Sequence, residues 1–181
     1  MNWLTIPNAL TILRMMFTPW ILLELAHGHW MTGGWMLGGA AFTDSLDGWL
    51  ARHFRWQSKA GQFLDPIADK FLLTSIFVGL AAGGAVPVWL VFVIVGRDLW
   101  IVGLSAFALK FTKYRNLTPS VWGKFSTFSQ VLTAVAIIAT RAYGNPLFSE
   151  AADVLVWVVT ALALISCADY SYRGIAYLRR R

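Results

Sequence analysis

Six long apolar stretches, each close to the length that crosses a bilayer (about 20 residues as a helix), leave little choice in what this chain can become. They are predicted to run from Ala9 to Ala26, Met31 to Leu50, Phe63 to Ala82, Pro87 to Leu109, Val121 to Thr140 and Ala152 to Tyr170, the last with room to extend to Leu178. Between them, "HGHWMTGG", "AGGAVP" and "RAYGNPLFSEA" supply the Gly, Pro and Asn that end helices. Only 13% of the 181 residues are charged and 57% are hydrophobic, where a soluble domain carries about a quarter charged residues. The expected architecture is all-α: one integral membrane domain over residues 1–181, a six-helix transmembrane bundle. "MNWLTIPN" has nothing basic ahead of the first apolar run and reads as an interfacial lead-in rather than a signal peptide.

The net charge of +6 raises the question of nucleic acid, and its distribution excludes it. Arg52, Arg55 and Lys59 lie between the second and third spans, Lys110, Lys113 and Arg115 between the fourth and fifth, and Arg173 and Arg179 to Arg181 in the tail. The first-to-second and third-to-fourth links have no Lys or Arg. This alternation predicts cytoplasmic termini and basic loops that meet lipid headgroups. Cys167 is the single cysteine, so no intrachain disulfide and no cysteine-rich metal site can form.

Against this background "TDSLDGWLARHFRWQSKAGQFLDPIADK" is anomalous. It places Asp44, Asp47, Asp65 and Asp69 at the cytoplasmic ends of the second and third spans, where a carboxylate in hydrocarbon costs about 2.5–3.5 kcal/mol or more. Asp44 and Asp47 share a helical face, as do Asp65 and Asp69. Two helices joined by a short loop are antiparallel neighbours, so the pairs can converge. Four ionised carboxylates must then take up protons, pair with cations or bind metal. An all-oxygen set suits hard cations, two Mg²⁺ or Mn²⁺ by charge balance, and such ions suit chemistry on a pyrophosphate. Gly48, Ala51 and Gly61 leave room for a ligand, or equally for close helix packing. Arg52 offers a planar fork to a phosphate oxygen.

As a pattern, Asp44 to Asp69 is D-x2-D-G-x2-A-R-x8-G-x3-D-x3-D. This resembles the signature of the CDP-alcohol phosphotransferase family, and "IPNALTILR" and "FLDPIADKFL" resemble its phosphatidylglycerophosphate synthase and cardiolipin synthase branch. The resemblance implies a homodimeric six-helix membrane enzyme with two divalent cations held by Asp44, Asp47, Asp65 and Asp69. It implies a CDP site at Asp44, Gly48, Ala51, Arg52 and Gly61, and Asp69 as general base. The implied reaction moves phosphatidyl from CDP-diacylglycerol to an acceptor hydroxyl, releasing CMP at the cytoplasmic face of a bacterial inner membrane.

The acceptor is read from less. Arg97-Asp98 in the fourth span and Lys124 in the fifth are candidates for holding an acceptor's phosphate. Two blander readings stand beside this one: Arg97 and Asp98 neutralise one another, and Lys124 snorkels to headgroups. Ser126 stands where phosphatidylglycerophosphate synthases resemble G-K-x-K-T, and "GKFST" is closer to the cardiolipin synthases. The expected acceptor is therefore phosphatidylglycerol, with glycerol 3-phosphate as the alternative. An ion transporter would also place carboxylates in a membrane, but it needs polar groups strung across the bilayer. Asn8, Thr11 and Arg14 border the nucleotide in this reading, or Arg14 anchors its helix to headgroups. Asp169 and Arg173 have the spacing of a helical ion pair.

Overall fold

A computed structural model describes residues 6–53, 59–111, 120–144 and 146–179. It contains six helices and, among the described residues, no strand: α1 (Ile6–Ala26), α2 (Trp30–His53), α3 (Lys59–Ala82), α4 (Val88–Phe111), α5 (Val121–Tyr143) and α6 (Pro146–Arg179). Three segments among the described residues are long and apolar enough to cross a membrane, Ala9–Ala26, Val121–Tyr143 and Ser149–Gly174.

The elements follow the expected order, and the boundaries differ in instructive ways. The predicted link after Thr140 is almost entirely helical: α5 runs on to Tyr143, and α6 begins at Pro146 rather than near Ala152. Proline is well suited to a first helical turn because the N–H it lacks would have no helical partner there. Gly144, with φ of 64°, occupies the left-handed conformation that terminates a helix. Arg52 and Lys59, read from sequence as loop residues, lie on α2 and α3.

The chain forms two compact units. The first comprises Met1–Val86 with Arg141–Gly144, and the second Pro87–Thr140 with Asn145–Arg181. In the first, α1 turns Thr11, Arg14, Thr18, Ile21 and Leu25 inward, steps of three and four that trace one helical face. Arg14 meets Asp44 and Leu25 meets Gly33, so α1 and α2 are antiparallel. Thr11 meets Asp65 and Leu22 meets Gly79, so α1 and α3 are parallel. Close approach explains the glycines here. A Cβ on Gly79 would stand 2.8 Å from the Leu22 carbonyl oxygen, and one on Gly83 would meet the Leu25 carbonyl and, at 2.6 Å, the Trp30 ring. Ile76, Phe77 and Leu80 of α3 complete the apolar core.

The second unit repeats the plan. Trp89 packs on Trp157 (ring centroids 5.9 Å), Arg97 reaches Ser166, and Trp100 donates to Ser171 at 3.0 Å, which sets α4 parallel to α6. Ser120 at the head of α5 meets Asp169 and Tyr170, while Thr133 further along meets the Leu155 carbonyl, so α5 runs against α6. The inward face of α5 is unusually polar for an apolar helix: Gly123, Ser126, Ser129, Gln130 and Thr133 precede Ala134, Ile137 and Ile138.

Candidate active site

The acidic ends of α2 and α3 are held from α1 by two polar rungs one helical turn apart. The Thr11 hydroxyl donates to Asp65 Oδ1 at 2.9 Å. Next along the helix, Arg14 donates through Nη1 to Asp69 Oδ1 at 2.9 Å and forms an ion pair through Nη2 with Asp44 Oδ1. Asp44 and Asp69 therefore come from different helices to one guanidinium. Arg14 is only 5% exposed, whereas the side chains of Asp44 and Asp69 keep 47% and 59% of their surface. The cation lies beneath, and the acids open outward.

Burial of Arg14 corrects one of its two readings: it is not a headgroup anchor. An intramembrane cation needs a partner, and sequence alone offered that clue, since Arg14 lies in the same helical layer as the acids. Its choice of Asp44 and Asp69 together depends on the packing of three helices. Asp47, Gly48, Ala51, Arg52 and Gly61 fall on the helical backbone of α2 and α3, with their side-chain surroundings outside the described residues.

The donors suit a hard divalent cation. They are carboxylate oxygens from α2 and α3, about half exposed, with no competing thiol or imidazole among the described contacts. Among the described residues no three acidic, histidine or cysteine side chains stand close enough together to enclose an ion; the Asp47 carboxylate is not among them.

In the second unit, Arg97 is buried and both of its terminal nitrogens are engaged, while Nε is buried without a hydrogen-bond partner. It pairs with Asp98 at 2.6 Å, donates to the Gly123 carbonyl at 3.2 Å and to Ser166 Oγ at 3.0 Å. It thus ties α4 to α5 and α6, and the pairing of Arg97 with Asp98, one of the two readings of this site, is present. Lys124, the next residue after Gly123, is exposed. Below it, Ser126 Oγ and both amide atoms of Gln130 are buried without a hydrogen-bond partner. Asp169 and Arg173 form their helical ion pair at 3.1 Å, and the buried Ser120 adds its hydroxyl to the same carboxylate. The roles of Ser120, Ser166 and Gln130 were not legible beforehand, because Ser and Gln at helix-packing positions carry no distinctive spacing.

Comparison with known proteins agrees with this geometry. The sequence model of the CDP-alcohol phosphatidyltransferase family matches residues 4–165. A Drosophila melanogaster protein named as a probable cardiolipin synthase (CMP-forming) is 38% identical over 141 residues, 76% of this chain and 40% of the relative. A Mycobacterium tuberculosis protein named as a probable phosphatidylglycerophosphate synthase is 35% identical over 176 residues, 93% of this chain and 80% of the relative. The human cardiolipin synthase (CMP-forming) is 32% identical over 186 residues, 93% of this chain and 60% of the relative. The chain thus spans less than two thirds of the fly and human relatives and most of the mycobacterial one. The family in general depends on divalent metal ions. With its signature aspartates carried on α2 and α3 and the family match extending over most of its length, the chain belongs to the CDP-alcohol phosphatidyltransferase family.

Proposed function

We propose that this protein transfers the phosphatidyl group of CDP-diacylglycerol to the hydroxyl of phosphatidylglycerol, forming cardiolipin and releasing CMP. The observation that carries the reading is the meeting of Asp44 and Asp69, the first and last aspartates of the eight-position signature, on opposite sides of one buried guanidinium.

Asp44, Asp47, Asp65 and Asp69 would hold two Mg²⁺ or Mn²⁺ ions. When bound, such ions neutralise charge on a pyrophosphate and on the departing nucleotide. The chain's own part is orientation and proton transfer. Thr11 holds Asp65 and Arg14 holds Asp69, which limits how far each carboxylate can turn. Asp69, the more exposed of the two acids on Arg14, accepts the acceptor's hydroxyl proton as that oxygen attacks the lipid-side phosphorus and the bond to CMP breaks. This requires the hydroxyl within about 2.6–3.2 Å of the carboxylate. Gly48, Ala51 and Gly61 leave space for the nucleotide beside Asp44, and Arg52 binds a phosphate oxygen.

The proposed architecture is a single six-span domain with cytoplasmic termini, working as a homodimer in a bacterial inner membrane. The basic loops place the aspartates on the cytoplasmic side, where a water-soluble nucleotide product leaves. Lys124, exposed at the start of α5, is proposed to contact the acceptor's phosphate. Arg97 supports that contact by holding the Gly123 carbonyl beside it. Ser126, where a second lysine would favour glycerol 3-phosphate, favours the lipid acceptor.

The test is CMP release from CDP-diacylglycerol by purified protein with Mg²⁺, supplying phosphatidylglycerol or glycerol 3-phosphate in turn. Release with phosphatidylglycerol alone is expected. Release with glycerol 3-phosphate alone would make the protein a phosphatidylglycerophosphate synthase, and ion flux without nucleotide would replace the enzyme by a transporter.

A further inference from the structure

An arginine buried under two metal-binding carboxylates is at first sight a poor arrangement. It places a permanent positive charge beside ligands meant for cations, and like charges weaken one another's binding. Yet Arg14 is among the most enclosed charged groups described, its side chain 3% exposed, and its two terminal nitrogens go to separate helices. It meets Oδ1 of each carboxylate, and the two acids keep about half of their surface exposed. Without that guanidinium, Asp44 and Asp69 would lose a cation that the two carboxylates share.

Resting on the metal-site reading above, we propose that Arg14 is a resident counter-ion, a positioning residue that keeps Asp44 and Asp69 gathered when no divalent ion is present and competes with such ions for them. One guanidinium set against these carboxylates lowers the negative charge they present, so divalent ions are held less tightly by the protein alone than the acids without it would hold them. The missing attraction is supplied by an anionic pyrophosphate. The ions therefore become firmly bound only together with the nucleotide, and the product can leave without being trapped on a permanently loaded site.

The experiment uses wild-type protein, Arg14→Gln, Arg14→Lys and Asp69→Asn in detergent, without nucleotide. Thermal unfolding is followed in EDTA and in Mn²⁺, and Mn²⁺ binding is read from the electron paramagnetic resonance signal of the free ion. Arg14→Gln is expected to unfold roughly 5 °C or more below wild type in EDTA, to recover most of that in Mn²⁺, and to bind Mn²⁺ at least about threefold more tightly. Arg14→Lys, which retains the charge, is expected to stay near wild type in both. A deficit in Arg14→Gln that is equal with and without Mn²⁺, or Mn²⁺ affinity that is unchanged or weaker, overturns the proposal while Asp69-dependent Mn²⁺ binding still supports the site. Mn²⁺ binding in wild type that Asp69→Asn does not weaken overturns the metal-site reading and this inference with it. If Arg14→Gln does not accumulate, combining it with Asp44→Asn removes one charge of each sign. Recovery supports the proposal, and continued failure overturns it.

Discussion

Thr11 and Asp65 are joined at 2.9 Å across α1 and α3, one helical turn from the pairing of Arg14 with Asp69. The hydroxyl thus braces one acid as the guanidinium braces another. Replacing Thr11 by Val keeps the shape and removes the donor, which is expected to cost about 1 kcal/mol of stability. If Asp65 is a metal ligand as proposed, the support behind it tunes its affinity, and the Mg²⁺ concentration for half-maximal turnover is expected to rise about tenfold. A Mg²⁺ titration of CMP release, alongside unfolding midpoints, measures both.

Asp69→Asn removes the proposed base and one negative charge. Turnover is expected to fall about a hundredfold or more, while binding of CDP-diacylglycerol survives. Turnover in wild-type protein is expected to stop in EDTA and to return with Mg²⁺ or Mn²⁺, the ions that oxygen ligands prefer. CMP release unchanged by Asp69→Asn would remove the residue from the chemistry.

Gly79 and Gly38 lie in helices of the same unit but in unlike surroundings. A Cβ at Gly79 would meet the Leu22 carbonyl oxygen at 2.8 Å and Leu25 Cβ at 3.0 Å, whereas at Gly38 it would meet nothing within 4 Å. Gly79→Ala is expected to destabilise by about 1–3 kcal/mol through forced separation of α1 and α3. Gly38→Ala is expected to be neutral or to stabilise by up to about 1 kcal/mol, since alanine is the better helix former. Unfolding of the two variants side by side decides the point.

Arg97 holds the second unit as Arg14 holds the first. Arg97→Met keeps the apolar stem and removes the bonds to Asp98, Gly123 and Ser166, which is expected to cost about 2–3 kcal/mol. If Arg97 supports Lys124 rather than touching the acceptor itself, the loss appears mainly as instability, and Lys124→Met raises the acceptor's KM without it. Comparing unfolding midpoints with acceptor titrations separates the two residues.

The sequence made the helical architecture and the acidic constellation readable for a common physical reason. Apolar runs of membrane length have few alternatives, and four acids in such runs demand compensation. Spacing also revealed the Asp169–Arg173 pair and the neighbouring Arg97 and Asp98. Arg14's partners were hidden because they come from two other helices, 30 and 55 residues later, and no local pattern encodes a three-helix junction. The start of α6 was missed because "GNP" reads as an extended link, although a single glycine with positive φ suffices to turn the chain and the proline then opens the helix.

Arg14 and Arg97, both buried, differ in when their partners are made. Arg97 is followed at once by Asp98, so its charge is offset as soon as the next residue is added. Arg14 has no adjacent acid; Asp44 is 30 and Asp69 is 55 residues further along the chain. At about 5–20 residues per second, roughly 1.5–6 s of synthesis separate the cation from the first of those carboxylates. For that interval α1 carries an arginine that hydrocarbon disfavours, and α2 and α3 arrive with charges it is suited to receive. The order of residues along the chain thus gives the first three helices an electrostatic reason to stay together from the moment they are made.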